Sequence, residues 1–505
     1  MARHTLNLDL NRVEGDVTFQ VEIEDGQVAD ARCVGTTYRG FEQIMIGRSP
    51  LDALVITPRV CGICSTAHLY AAVLALEQVW GIAPPANAVH IRNVSLMAEI
   101  VQSDLRQTFL FFTPDFCHAR YAAWPARDAV IAAFAPFQGW MYLETLRHSR
   151  RITEIVALFA GQWPHSSHMA PGGVTSGATA RRIVDGQSLV AEVTRWVERR
   201  ILGGDLDAWL ALARADEFEA WVMERPATAL ALLVQAARRA GLDAMGFGSP
   251  HLLAFGAFAW PEPTNGRTHW LAPGTRLGSD DPVAPLEPTR IGEHVRHSWF
   301  RSYPGARHPF DGETVPDYQP TSDRYSWAKA PRYGGAVMQT GPLADLLVDG
   351  DPLIVDLYRR AGGNAWLRQL ARVRRMTHLL RFLRQTFDRL ATRLDEPHMV
   401  PPPPDAERDG RGAGLLTAAR GALGHWIALR DGVFERYQII TPTSWNASPR
   451  DSDGVRGHWE ESLIGVPVLD PEDPLEIAHV IRSHDPCLVC TVHVLGSDHR
   501  IRLGI

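Results

Sequence analysis

The sequence is short of cysteine, of surplus basic charge and of long apolar runs, and each shortage excludes something. Six cysteines in 505 residues are too few for a disulfide scaffold, and a chain of this length buries enough surface to fold without one. A formal net charge of −6 leaves no basic excess, so nucleic acid is not expected as a partner. No apolar run reaches the roughly 18 residues that a membrane-spanning helix needs. The opening MARHTLNLDL lacks the basic-then-apolar order of a secretory signal. Neither a membrane span nor an export address of its own is expected. What is present, 45% hydrophobic and 21% charged residues, suits a large globular core.

Residues 4–10, 17–23 and 27–34 alternate polar and apolar, with Asp25-Gly26 as a hairpin turn between the last two. Helical periodicity covers 67–81, 90–112, 128–160, 187–203 and 217–240. The Arg-studded stretch 365–394 reads as one long amphipathic helix. Residues 260–325 and 396–414 are rich in loop-forming residues, the second containing PPPPD. A further hairpin spans 424–440 and turns at Asp431-Gly432. The expected fold class is α+β, predominantly helical: a core of long helices with small antiparallel sheets at both ends.

Cys33 and Cys117 are solitary, while Cys61/Cys64 and Cys487/Cys490 form C-x-x-C pairs near opposite ends. Such spacing lets two thiolates converge on one soft metal. Three readings are open. A structural zinc site is one, although zinc knuckles are local and these pairs lie at positions 64 and 487. A redox dithiol at each pair is another, without the strand-then-helix setting such motifs use. The third is one reactive metal centre built from both ends of the chain.

The first pair stands as Arg59-Val60-Cys61-Gly62-Ile63-Cys64 with His68 beyond it, the second as Asp485-Pro486-Cys487-Leu488-Val489-Cys490 followed by His493. This double signature resembles the large subunit of nickel–iron hydrogenases. Further matching segments follow in family order: Arg12-Val13-Glu14-Gly15, His308-Pro309-Phe310-Asp311-Gly312, Lys329-Ala330-Pro331-Arg332, Arg420-Gly421-Ala422-Leu423-Gly424-His425-Trp426 and Trp445-Asn446-Ala447-Ser448-Pro449-Arg450. The related quinone-pocket subunit of respiratory NADH dehydrogenase lacks the four cysteines.

The resemblance implies the hydrogenase large-subunit fold as a single domain over residues 1–505, and a nickel–iron centre with carbon monoxide and cyanide on the iron. Cys61 and Cys487 match the terminal nickel ligands, and Cys64 and Cys490 the ligands bridging nickel and iron. Cys487 is implied to take the proton when dihydrogen splits, and Glu14 to carry it outward. Glu42 and His493, with the carbonyl of Ile439, match the ligands of a separate magnesium-type cation, a hard ion suited to oxygen donors. His68 matches a histidine bonded to a bridging sulfur. Asp104, Arg420 and Asp485 match a charged canopy over the metals, and Thr443 a hydroxyl donor to cyanide.

The usual Glu-Ala-Pro-Arg before the canopy arginine is Thr417-Ala418-Ala419-Arg420 here, and Asp16 follows Glu14-Gly15. The first departure removes the packing that the proline gives near the iron ligands in the family; in Asp16 the chain resembles the cytosolic uptake and hydrogen-sensing branch, and in bulky Ile63 and Phe112 along the implied gas route its hydrogen-sensing members. Residues 494–505 match a tail removed by a maturation protease, which points to an uptake enzyme assembled with a chaperone. With no further cysteine group for iron–sulfur clusters, electrons are expected to leave through an iron–sulfur small subunit in an obligate heterodimer. The expected activity is dihydrogen oxidation feeding an electron carrier, in the cytosol unless a small subunit's signal exports the pair. The alternative is a hydrogen sensor signalling to a histidine kinase.

Overall fold

In the computed structural model, residues 4–9, 11–13, 17–264, 267–401, 409–487 and 501–502 are described. Three strands open the chain, β1 (His4–Asp9), β2 (Val17–Glu24) and β3 (Gln27–Gly35), each antiparallel to the next. The β2 side chains alternate inward and outward, so one face is packed and the other solvated. A short helix, α1 (Phe41–Met45), carries Glu42.

The core is a set of long helices: α2 (Ser65–Trp80), α3 (Ala86–Arg106), α4 (Trp140–Ala160) and α5 (Ala180–Trp196), then α6 (Pro342–Asp349), α7 (Pro352–Ala361) and α8 (Ala365–Ala391). Helices α3, α4, α5 and α8 pack against one another. Helix α8 starts at Asn364, whose side chain accepts the Leu367 N–H at 2.8 Å. Its run of Leu, Ala, Arg and Gln favours helix throughout. The stretch 128–160 is two helices rather than one, because the chain breaks after Phe134 and restarts at Gly139, where a Cβ would overlap the Ala133 carbonyl.

The second sheet is β4 (Gly410–Ala418), β5 (Gly421–Arg430) and β6 (Val433–Ile440), antiparallel in that order. The expected hairpin at Asp431-Gly432 is present. Strand β4 was not expected, since its glycine-rich sequence reads as loop. Those glycines let α2 lie backbone to backbone on the strand: a Cβ at Gly412 or Gly414 would overlap the carbonyls of Ala75 and Ala71. Helices α9 (Pro442–Asn446) and α10 (Leu475–Ser483) follow. A two-residue strand, β7 (Ile501–Arg502), pairs in parallel with β1, so the first sheet runs β7-β1-β2-β3 and is not wholly antiparallel. Among the described residues no helix is long and apolar enough to cross a membrane.

The amphipathic expectation for α8 fails over its first half. Arg368, Arg372, Arg374 and Arg375 are all buried. They face inward because partners wait there: Asp351 meets Arg374 at 2.9 Å, and Asp345 meets Arg375 at 2.7 Å. A buried charge is tolerated when it is paired and hydrogen-bonded.

Candidate metal centre

The first cysteine pair lies on the turn leading into α2. Glu99, from α3, accepts the N–H groups of Thr66 and Ala67 at 2.8 and 3.1 Å and the Trp163 indole at 3.1 Å. A carboxylate thus caps the helix that begins just after Cys64. Burial pushes Glu99 up to about 7 against these bonds. The other side of the turn is held by His165, which bonds the Pro58 carbonyl at 3.0 Å and donates its N–H to Ser65 at 3.2 Å.

The second pair follows α10. Asp485 adopts φ +60, a left-handed conformation unusual for a side-chain-bearing residue, and the chain then passes Pro486 to Cys487. The result is a Cys61 Sγ to Cys487 Sγ distance of 3.5 Å between the two ends of the chain. Both thiols and that of Cys64 are buried. Cys490, the fourth, lies outside the described residues, as do Glu14, His493 and residues 494–500. Among the described residues no three His, Cys, Asp or Glu side chains group as a metal site.

Arg420, at the turn between β4 and β5, stands over the cysteines. Its Nη2 meets Asp485 Oδ1 at 3.1 Å and its Nε donates to the Asp485 carbonyl at 3.2 Å. Burial alone would weaken its charge, yet Asp485 and thiolates at Cys487, Cys61 and Cys64 hold its pKa well above the usual value. Arg420 Nη1 and Asp485 Oδ2 are buried without a hydrogen-bond partner among the described residues. Soft thiols, a cation over them and two orphaned polar atoms fit a bound anionic metal cluster.

Asp104 is not paired with Arg420. Its oxygens accept from Arg375 at 2.7 and 3.1 Å, and Arg372 stands at 3.9 Å. Burial raises the Asp104 pKa while Arg375 opposes the rise. Arg375 also holds Asp345, which burial lifts to about 6. The buried charged set around Asp104 is therefore wider than the three residues expected, and Arg372, Arg375 and Asp345 were missed. The available signal was Arg368, Arg372 and Arg375 spaced four and three apart, which puts them on one helical face.

His68, one turn into α2, donates its backbone N–H to the Cys64 carbonyl at 3.2 Å. Its Nδ1 lies 3.0 Å from His425 Nε2, and His425 Nδ1 lies 2.8 Å from the Tyr437 hydroxyl. Thr443 is buried in the first turn of α9. Ile63 and Phe112 are both buried, the latter edge-on to Phe116 and His479.

Glu42 and Ile439 do come together. Glu42 Oε1 accepts the Ile439 N–H at 2.8 Å, and Oε2 accepts the Thr314 hydroxyl. They line a small cavity of about 90 Å³ with Glu293 and Lys329. Lys329, the one lysine in the chain, donates to Gln438 at 2.6 Å and stands 3.5 Å from Glu293 and 3.9 Å from Glu42. Burial raises Glu293 to about 7 against the pull of Lys329. Glu293 and Thr314 carry no motif that sequence alone could have singled out.

Buried thiols drawn from both ends of the chain beneath a guanidinium are the donor set of a metal–thiolate centre. The family model for nickel-dependent hydrogenase matches residues 39–124 and 107–493. The chain is 32% identical to the periplasmic [NiFeSe] hydrogenase large subunit of Desulfomicrobium baculatum, over 98% of this chain and 96% of that one. It is 31% identical to the hydrogenase-1 large chain of Escherichia coli K12, over 97% and 94%. The reduced Ni-Fe-Se hydrogenase from D. vulgaris Hildenborough superposes with a TM-score of 0.80 at 30% identity, covering 97% of this chain and 100% of that one. The chain belongs to the nickel-dependent hydrogenase family. It is the catalytic large subunit of a hydrogenase, an oxidoreductase acting on dihydrogen, with a nickel–iron active site and a small subunit as partner.

The expected affinity to the cytosolic and hydrogen-sensing branch is corrected by these relatives. One is periplasmic by name, and neither of these two relatives is a sensor by name. Asp16, Ile63 and Phe112 are too few positions to outweigh likeness along nearly the whole chain. The cytosolic location drawn from that branch loses its support.

Proposed function

We propose that Cys61, Cys64, Cys487 and Cys490 hold the nickel and iron, Cys61 and Cys487 as terminal and Cys64 and Cys490 as bridging ligands. The observation that carries this reading is the 3.5 Å approach of the Cys61 and Cys487 sulfurs beneath Arg420. When bound, the metal pair, with carbon monoxide and cyanide on the iron, supplies the Lewis acid and the electron acceptor for dihydrogen. Cys487 takes the proton at its sulfur, and Glu14 passes it outward. Arg420, fixed by Asp485, keeps a positive charge over the thiolates, and the Asp104–Arg375 pair braces the canopy from behind. The Thr443 hydroxyl would donate to a cyanide on the iron, and His68 to one of the cysteine sulfurs.

Glu42, the Ile439 carbonyl and His493 would hold a magnesium-type cation, with Lys329 and Glu293 lining the same cavity as Glu42 and Ile439. Electrons leave through iron–sulfur clusters of the small subunit. Residues 1–505 form one domain, from which a maturation protease, acting with a chaperone, removes 494–505.

The test is dihydrogen-dependent reduction of an artificial acceptor by the heterodimer. Cys61→Ser should remove both nickel and turnover, and retention of both would overturn the ligand assignment. Glu14→Gln should reduce turnover by a factor of about 100 or more while the metals stay in place; loss of nickel in that variant refutes the relay role.

A further inference from the structure

His68, His425 and Tyr437 form a buried hydrogen-bonded row reaching from β6 through β5 to the turn that carries Cys61 and Cys64. All three side chains are sealed from solvent. The rings of His68 and His425 lie 5.2 Å apart, and those of His425 and Tyr437 5.6 Å apart. A hydrogen bond between two ring nitrogens 3.0 Å apart requires a lone pair on one of them.

A neutral imidazole donates from one nitrogen and accepts at the other, so each link fixes the next. Two directions satisfy the distances. In one, the Tyr437 hydroxyl donates to His425 Nδ1, His425 Nε2–H donates to His68 Nδ1, and the His68 proton is on Nε2. In the other every proton points the opposite way, and the phenol proton needs a second acceptor. The Tyr437 hydroxyl has no other hydrogen bond among the described residues. A buried O–H without an acceptor costs about 1–3 kcal/mol.

We propose that Tyr437 and His425 are positioning residues that fix the tautomer and ring plane of His68, so that it presents Nε2–H to the metal-binding thiolates. This rests on the reading of the cysteines as metal ligands and of His68 as a donor to one of their sulfurs. An N–H bond to sulfur withdraws electron density from the thiolate and raises the potential of the metal it binds.

The heterodimer is examined by infrared spectroscopy of the iron-bound carbon monoxide and cyanide, with nickel content measured in parallel. Tyr437→Phe removes the first donor, and His425→Leu removes the link. Both should move the bands to lower wavenumber, His425→Leu further. His425→Gln can accept from Tyr437 at Oε1 and donate to His68 from Nε2, so it should restore the wild-type bands. A role in packing alone would make Gln and Leu equivalent. Unshifted bands in either Tyr437→Phe or His425→Leu overturn the proposal, as does equal displacement in the Gln and Leu variants. If Tyr437→Phe fails to bind nickel, the Gln and Leu pair decides. Wild-type heterodimer with no such bands would instead refute the nickel–iron reading of the cysteines.

Discussion

Arg375 joins two buried carboxylates that would otherwise repel each other. Its fork takes Asp104 with Nε and Nη2 and Asp345 with Nη1. Removing one member of such a set leaves charge buried without compensation. Arg375→Met should therefore cost about 3–5 kcal/mol in denaturant unfolding of the heterodimer, and lower nickel occupancy as Asp104 loses its anchor. A change below about 1 kcal/mol would mean that the carboxylates simply take up protons, a course already half open to Asp345 at about 6. At this scale the sequence was informative where chemistry recurs in short motifs. Cys61, Cys64 and Cys487 could be named from their neighbours, whereas Glu293 and Tyr437 could not, and the spacing of Arg372 and Arg375 gave a shared helical face without the carboxylates it meets. Each of these acts through a partner on another element, Tyr437 through His425 on the neighbouring strand, and no local pattern encodes a partner.

Helix α7 depends on one side chain of its neighbourhood. Asp351 caps it by accepting the Ile354 N–H at 3.0 Å, and its other oxygen takes Arg374 at 2.9 Å and His378 at 2.8 Å. Burial would raise this carboxyl, but His378 and Arg374 bring it down to about 2. A depressed carboxyl stabilises the fold above its unfolded pKa of about 3.9 and loses that contribution as pH falls through the folded value. Asp351→Asn should thus cost roughly 2–3 kcal/mol at pH 7, seen as a lower denaturant midpoint. The gap from wild type should narrow by about 1 kcal/mol between pH 5 and pH 3; a gap independent of pH contradicts the charge-based account. Helix α8, which supplies Arg374 and His378, shows what periodicity hides. Its length and start were legible, but apolar residues at helical spacing do not say that the arginines between them face carboxylates rather than water. Strand β4 was hidden for another reason: its glycines signal loop locally, and only the close approach of α2 explains them.

The whole molecule brings Cys61 and Cys487 to 3.5 Å across nearly its full length. The long buried helices and the β4–β6 sheet together set that distance, since α2 carries one pair's turn, α10 leads to the other, and Arg420 reaches over both from the sheet. Neither end of the chain could fold into a useful site alone. Spacing alone left a zinc staple, redox dithiols or one reactive centre open for two C-x-x-C pairs at opposite ends, and it was the residues beside the cysteines that pointed to one centre. The branch within the family was not legible, because it was read from a few side chains while relatedness is spread over the whole length. The measurement that bears most directly on the central claim is the metal content of the purified heterodimer, taken with its infrared spectrum. The account predicts nickel and iron in equal amounts at the large subunit, with bands of iron-bound carbon monoxide and cyanide. Zinc alone at the cysteines, with no such bands, would contradict it.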